Sequence, residues 1–526
     1  MRTITELNGR FYSRARLAMM AALVWGGAVA PGESLDRNGF LWGPHLEWSF
    51  ENEDETGNPF DIEATAMFTH TGSGETRRTG MFFNGAMKWK LRFTGTRTGE
   101  WTFVTQSAAA ALHGKRGKVR ILEGRPADPA GKGAHSRGFI MSVDGNRWGW
   151  SGQTGAVFVP QLVMGRDLPA YGTNPKKIDD DIKTWLIEHG FTGIHIAVLC
   201  RWFDFDQASS DKILKSDPNP DRRTFEVLEN LIGRFHDAGG MVHIWAWGDE
   251  SRRMTPVKWG INGKADKRLQ RYIAARLGPL PGWTMSYGFD LWEWVEGRQL
   301  EEWHRYMYQH LGWPHLLGAR WKKNELTQAT EALDYASYEQ HRPDYQRYVE
   351  MIEKRPRKPA FAEDRFRVRE PSPYPEKDYD LEMTRRGLWH STMAGGVANI
   401  WGYLVPSGDE GGSRPYPNRE QIQTYARFFK NRLPRGIERA NNLRDGFVLR
   451  WKDDRRALLI IYKEDTAQIQ MDLSGIGVAR RAVAVDTRKA YKELELGPLA
   501  MEKQTWRAPY RSDWAIAVHV GSGPDG

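Results

Sequence analysis

Two short stretches carry side chains able to do acid–base chemistry from the end of a β-strand. In "KPAFAED" (358–364) an apolar run breaks off at Glu363. In "YGFDLWEW" (287–294) another breaks off at Asp290, with Glu293 three residues on. Carboxyl groups presented from separate strands can face each other across a bound molecule. One protonates a departing oxygen while the other, ionised, attacks carbon or activates water, which is how a glycosidic bond is cut. Arg320 or Arg365 beside the attacking group would hold it ionised, and an indole against the acid would favour its protonated form by desolvation. Plainer readings stand beside these. Glu363 could be a salt-bridged strand end, and Asp290 before "LWEWVEGRQLEEW" has the chemistry of a helix N-cap.

The elements that must position these groups alternate. From 139 to 435, apolar strands at 156–164, 193–200, 241–247, 282–289, 315–320, 332–338, 358–363 and 395–403 are separated by helical stretches such as "FEVLENLIGRFHDAGG" and "DYQRYVEMIEKR". Eight strands with intervening helices fit a (β/α)8 TIM barrel, and no G-x-G-x-x-G follows a strand to favour a doubly wound sheet. In such a barrel chemistry gathers at the C-terminal strand ends. The second strand ends in Arg201 and Trp202, the third carries Trp245 and Trp247, the fifth ends in Arg320, the sixth in Tyr338, and the eighth in Trp401 and Tyr403. The indoles and Tyr403 are expected to stack on sugar rings, with Tyr338 also on this face. Arg201 and Arg320 are expected to bind hydroxyls or an acidic group.

Both flanks read as β. Residues 35–125 alternate in short runs between Gly, Asn and Thr turns, the pattern of an immunoglobulin-type sandwich, and 436–526 return to alternation as a second, smaller sandwich. The fold class is therefore α/β, a barrel flanked by an N-terminal and a C-terminal β-sandwich. Carboxylates at strands four and seven resemble the plan of the retaining glycoside hydrolases of clan A. The three-part layout is similar to the apiosidase-like and collagenase-annotated barrel glycosidases, and "KWKLRFTGTRTGEWTFVT" (88–105) is similar to their front domain. The resemblance implies Asp290 as acid/base, Glu363 as nucleophile and a retaining double displacement on a plant, algal or microbial poly- or oligosaccharide. One feature departs from it. The Asn-Glu pair of clan A is replaced by "GFDLWEW", which keeps both Asp290 and Glu293 as candidates for the acid. A non-catalytic carbohydrate-binding protein with a degenerate barrel is the alternative, sharing the aromatics without needing opposed carboxylates.

Composition sets the outer bounds. The 526 residues include 23 Trp and 18 Tyr, an excess that suits sugar-stacking surfaces. The net charge is +9, yet long Lys/Arg runs and zinc or helix-turn-helix signatures are missing, so no nucleic-acid partner is expected and an anionic carbohydrate is the better match. His195 and His243 hold equivalent places in two strands, but no third ligand stands at metal spacing, so neither metal nor cofactor is expected. The single Cys200 reads as a buried thiol. Arg10, Arg14 and Arg16 before "LAMMAALVWGGAVA" (17–30) read as a signal peptide over residues 1–30, directing the chain to the periplasm or outside. No later segment is apolar enough to span a membrane.

Overall fold

A computed structural model describes residues 34–520 apart from 54–56, 124–136, 153–156, 322–329, 340–343, 405–409, 441–445, 475–478, 498 and 501, and without the side chains of 364–366, 479 and 480. The expected signal segment and the Arg365 side chain therefore lie outside the described residues.

The front unit has seven strands: β1 (Arg37–Phe40), β2 (Leu46–Glu51), β3 (Ala64–His70), β4 (Thr76–Phe83), β5 (Lys88–Phe93), β6 (Gly99–Ser107) and β7 (Arg116–Leu122). They are hydrogen-bonded in the order β1-β7-β6-β3-β4-β5-β2. β4 pairs with β3 through Thr76–Gly80 and with β5 through Met81–Phe83, and the sheet folds over there. Four strand spacings of about 4.8 Å would separate β2 from β6 in a flat sheet. Yet the rings of Trp48 and Phe103, on those two strands, lie 5.1 Å apart. Alternate residues of both halves, including Phe68, Trp89, Leu91 and Trp101, close this core.

A short hairpin, β8 (Ile140–Val143) with β9 (Arg147–Trp150), leads into eight parallel strands. They are β10 (Gln161–Met164), β11 (Gly193–Ala197), β12 (Met241–Trp247), β13 (Trp283–Gly288), β14 (Leu317–Gly318), β15 (Ala336–Glu339), β16 (Ala360–Arg369) and β17 (Ala398–Leu404). Their order, β14-β13-β12-β11-β10-β17-β16-β15, runs almost completely around a barrel. The remaining seam, between β14 and β15, is bridged by Asp334, whose N–H donates to the Leu317 carbonyl at 2.9 Å while its carboxylate accepts from the Leu317 N–H at 2.7 Å. Helices α1 (Leu168–Thr173), α2 (Lys176–Asp181), α3 (Arg222–Asp237), α4 (Lys264–Leu277), α5 (Gly297–His310), α6 (Tyr345–Lys354), α7 (Leu381–Met393) and α8 (Arg419–Phe429) follow the strands. The α3 cap is legible in its residues: the Asp221 side chain accepts from the Thr224 N–H, and the helix ends before Gly239 at φ 84°.

Period-two alternation splits the barrel strands between two cores. Leu162, Trp245, Phe361 and Ile400 fill the interior, whereas Val163, Ile244, Ala362 and Trp401 pack outward under the helices. β16 continues six residues beyond Glu363, pairing with β17 as far as Arg369–Leu404 and projecting above the barrel mouth. The rear unit comprises β18 (Glu438–Arg439), β19 (Phe447–Lys452), β20 (Ala457–Asp472), β21 (Ala479–Asp486), β22 (Leu494–Glu495) and β23 (Lys503–Val520), in the order β18-β19-β20-β23-β21-β22. The alternating runs "RALLIIYK" and "AQIQMDLSG" belong to one long β20, irregular where Lys463–Gln468 meet β23. One face of this sheet docks on the barrel, with Tyr462 stacked on Trp389 of α7 at 4.9 Å. The front unit is clamped by Arg92 and Arg276, which share Glu229. Burial opposes that carboxylate's charge, but the two guanidinium groups prevail and hold it at about 2.

Candidate active site

Glu363 and Asp290 meet opposite fates in the folded chain. Glu363 is fully buried inside the barrel. Its Oε1 accepts from His243 Nε2 at 2.7 Å, the Tyr335 hydroxyl at 3.1 Å and Trp245 Nε1 at 3.2 Å, and Ser337 donates to Oε2. His243 is fixed in turn by Thr284, 2.8 Å from its Nδ1. Among the described residues its donors are these four side chains, of which Trp245 also lines the cleft. The carboxylate is 0% exposed, so the expected attack by Glu363 would need a neighbouring side chain to turn aside.

Asp290 follows the last residues of β13 in a left-handed conformation, φ 53°, which Asp tolerates better than most residues. It stands where a cap would before the 3₁₀ turn Leu291–Glu293, yet its side chain caps nothing. The carboxylate instead accepts from Arg320 Nη2 at 3.0 Å. Arg320 Nη1 donates to Glu339 at 2.9 Å, and both Arg320 and Glu339 are buried. The pair also ties the end of β15 to the chain just beyond β14, across the seam. Arg320 is thus corrected from a sugar-binding residue to the group that orients Asp290. The long helix expected after Asp290 starts at Gly297 behind its own capping box, Glu296 with Gln299.

Asp290 opens onto a cleft of about 470 Å³ at the C-terminal mouth. His195 and Trp245, with ring centres 3.9 Å apart, form its floor; Phe289 stands 4.7 Å from Trp245 on one side. Arg166 and Asp167 reach in after β10, Arg201 after β11, Arg252 after β12 and Arg367 from the β16 extension. Among the expected site residues, Asp290, Arg201 and Trp245 line this cleft. Burial holds the half-buried Arg201 guanidinium below its ordinary value, against the charges of Asp167, Asp206 and Asp204. Glu293 stands beside the cleft. Partial desolvation first, then the charges of Asp290 and Asp249, push its carboxyl above the usual range, while backbone N–H groups of Glu250 and Ser251 pull the other way.

The remaining expected stacking residues point elsewhere. Trp202 is buried against Phe225 and donates to the Ala246 carbonyl at 3.0 Å. Trp247 packs toward Phe203 at 6.0 Å, in the outer core. Tyr338 donates to the Met351 carbonyl of α6 at 3.1 Å, Trp401 to Gln161 at 2.7 Å, and Tyr403 to Glu370 at 2.7 Å. All five belong to the layer under the helices rather than the cleft. Asp167 and Arg252 were not singled out by sequence reasoning. Arg367 carried a signal: "FRVR" alternates, so Arg367 and Arg369 share a strand face. Cys200 is buried as expected, its thiol pushed up to about 12 by burial, which makes it unreactive. A larger groove of about 660 Å³ opens at the opposite end of the barrel, and among the described residues no carboxylate lines it.

Residues 42–108 match a family model described as a domain of unknown function, DUF5060, which spans much of the front unit. No curated protein matches the sequence. A Bacteroides vulgatus ATCC 8482 protein described as a "putative glycoside hydrolase" superposes with a TM-score of 0.72 over 93% of this chain and 100% of its own, at 15% identity. A glycoside hydrolase family 5 protein from the same organism gives 0.55 over 74% and 94%, also at 15% identity. At such identities the likeness establishes the architecture, a barrel shared with glycoside hydrolases.

Proposed function

We propose that the protein is a glycoside hydrolase whose catalytic carboxyl groups are Asp290 and Glu293. The observation that carries this reading is the pairing of Asp290 with Arg320 at the edge of a cleft over the barrel mouth, beside a carboxyl pushed above the usual carboxylate range by desolvation and the Asp290 charge. Glu293 protonates the departing oxygen, and Asp290, kept in place by Arg320, attacks the anomeric carbon to give a glycosyl ester. Glu293 then takes a proton from the water that hydrolyses the ester. His195, Trp245 and Phe289 form the platform for the ring. An immunoglobulin-like front domain, three domains near the expected boundaries and export through residues 1–30 belong to the same reading.

A second reading has one observation in its favour: four donors converge on Glu363, on the strand across the barrel from β13. It requires Trp245 to turn aside. Release of reducing ends from a polysaccharide panel tests the activity itself, and Asp290→Asn is expected to lower turnover by about 10²–10⁴-fold. On the cleaved substrate, azide should rescue a small-side-chain variant of the attacking residue as a glycosyl azide of inverted configuration. Rescue of Asp290→Gly supports the first reading; rescue of Glu363→Gly alone moves the nucleophile to Glu363. Failure to cleave any glycan leaves the binding-protein alternative.

A further inference from the structure

The cleft is lined by four arginines, Arg166, Arg201, Arg252 and Arg367, against two carboxylates, Asp167 and Asp290. Several of these charges are already matched. Arg166 pairs with Asp181 and Glu410, Arg252 with Asp249 at 2.6 Å, and Asp290 with Arg320. Arg201 differs. Among the described residues it makes no ion pair; one guanidinium nitrogen donates to the Phe205 carbonyl at 3.0 Å. The charges of Asp167, Asp206 and Asp204 act on it from farther off. A half-buried cation on a cleft wall, with donors to spare and no carboxylate in ion-pair contact among the described residues, is suited to an anion brought by the ligand.

The charge continues past the mouth. Arg367 also lines a second hollow, of about 300 Å³, with Arg369, Tyr374 and Lys377. Arg369 is held by Asp378 through bonds of 2.9 and 3.0 Å, while Lys377 makes no ion pair among the described residues. The Tyr374 ring, 48% exposed, lies 4.8 Å from the Arg369 guanidinium and 5.4 Å from the Lys377 ammonium. This shelf, a half-exposed ring with two cations set over it, offers an aromatic edge and positive charge together to a sugar that carries a negative group. Arg367 belongs to both hollows, so one chain of sugars can occupy them together.

Resting on the hydrolase reading, we propose that the substrate is an anionic glycan, carboxylated or sulfated. Arg201 takes one charged group in the cleft, and Tyr374 with Lys377 holds a further charged unit on the shelf. A nucleic acid is less suited, because Asp290 and Asp167 would face its phosphates and the shelf offers a single ring.

The test is calorimetric binding to the Asp290→Asn protein at low and high salt. The ligands are oligogalacturonates, sulfated galactan oligosaccharides, neutral galacto-oligosaccharides of matched length and a thymidine oligonucleotide. At least one charged glycan is expected to bind tenfold or more tightly than its neutral counterpart, with the advantage shrinking as salt rises. Whether the carboxylated or the sulfated arm wins names the group. Arg201→Gln should remove most of the charged-to-neutral ratio, and Tyr374→Ala with Lys377→Gln should weaken only oligomers long enough to reach the shelf. Equal binding of charged and neutral glycans overturns the proposal, as does equal loss of both in Arg201→Gln or oligonucleotide binding as tight as the best glycan. Selective binding without cleavage by the wild-type protein sinks the hydrolase and keeps this inference; cleavage of neutral glycans without preference does the reverse.

Discussion

Glu363 and Asp290 both close an apolar run on a barrel strand, and the protein has built around them two different nests. The Glu363 nest is closed: imidazole, indole and hydroxyl donors bond the carboxylate, and among the described residues no arginine or lysine pairs with it. The Asp290 nest is open: one guanidinium on one side, the cleft on the other, and the counter-charge passed inward to buried Glu339. Position along the strand separates them. Glu363 points inward while β16 continues for six more residues, whereas Asp290 comes after β13 has ended, on a residue whose positive φ turns the chain away. A carboxylate in mid-strand needs donors on every side and becomes scaffold. One placed past the strand end can keep a face for a ligand.

Arg320 is where this contrast is most easily broken. Arg320→Met removes the cation that pairs with both Asp290 and the buried Glu339. Breaking a buried ion pair on one side costs about 3–5 kcal/mol. A marked fall in the temperature of the first unfolding transition, together with loss of turnover, is the expected result. Unchanged stability would mean that the open nest is not held by charge, and the distinction from Glu363 would collapse. Glu363→Gln gives the complementary and smaller effect. The amide keeps the shape but presents a donor to groups that are themselves donors, at a cost of about 1–3 kcal/mol. Denaturant titration should show that loss, with less effect on turnover than Asp290→Asn, which is expected to leave stability nearly intact. A stable Glu363→Gln protein with the larger loss of turnover would exchange the two roles.

Much of this frame was legible in the sequence. Met241–Trp247 is an uninterrupted apolar run ending in indoles and stands as read, and the eight strands and their intervening helices fall in the expected order. The phase of each strand was not legible. Parallel strands buried on both faces carry apolar residues at every position, so nothing in "ANIWGY" says that Ile400 faces the barrel interior and Trp401 the helices. A one-residue difference of phase moved Tyr338, Trp401 and Tyr403 out of the cleft. Depth was hidden for a similar reason: "AFAEDRFRVR" shows where the apolar run stops, not where hydrogen bonding to β17 stops. The cleft arginines Arg166, Arg252 and Arg367 sit in connections or on the strand extension, where only the fold brings them together.

The smallest effect concerns protons and sharpens the contrast from the open side. Glu293 is exposed, and its carboxyl is pushed above the usual range by partial desolvation, with the charges of Asp290 and Asp249 adding to it. As a proton donor it must be protonated, so kcat/KM should fall as pH rises through its pKa. That alkaline limb should flatten in Glu293→Gln as activity drops. Asp249→Asn removes one of the raising charges and releases Arg252, which Asp249 now neutralises. Both changes stabilise the ionised form of Glu293, so the limb should move to lower pH. Because desolvation is the larger cause and is untouched, the move should be a fraction of a pH unit, and smaller at high salt, where exposed charges are screened. A limb that stays in place in Glu293→Gln would remove Glu293 as the acid, leaving Asp290 with its arginine as the only carboxylate of the open nest in the reaction.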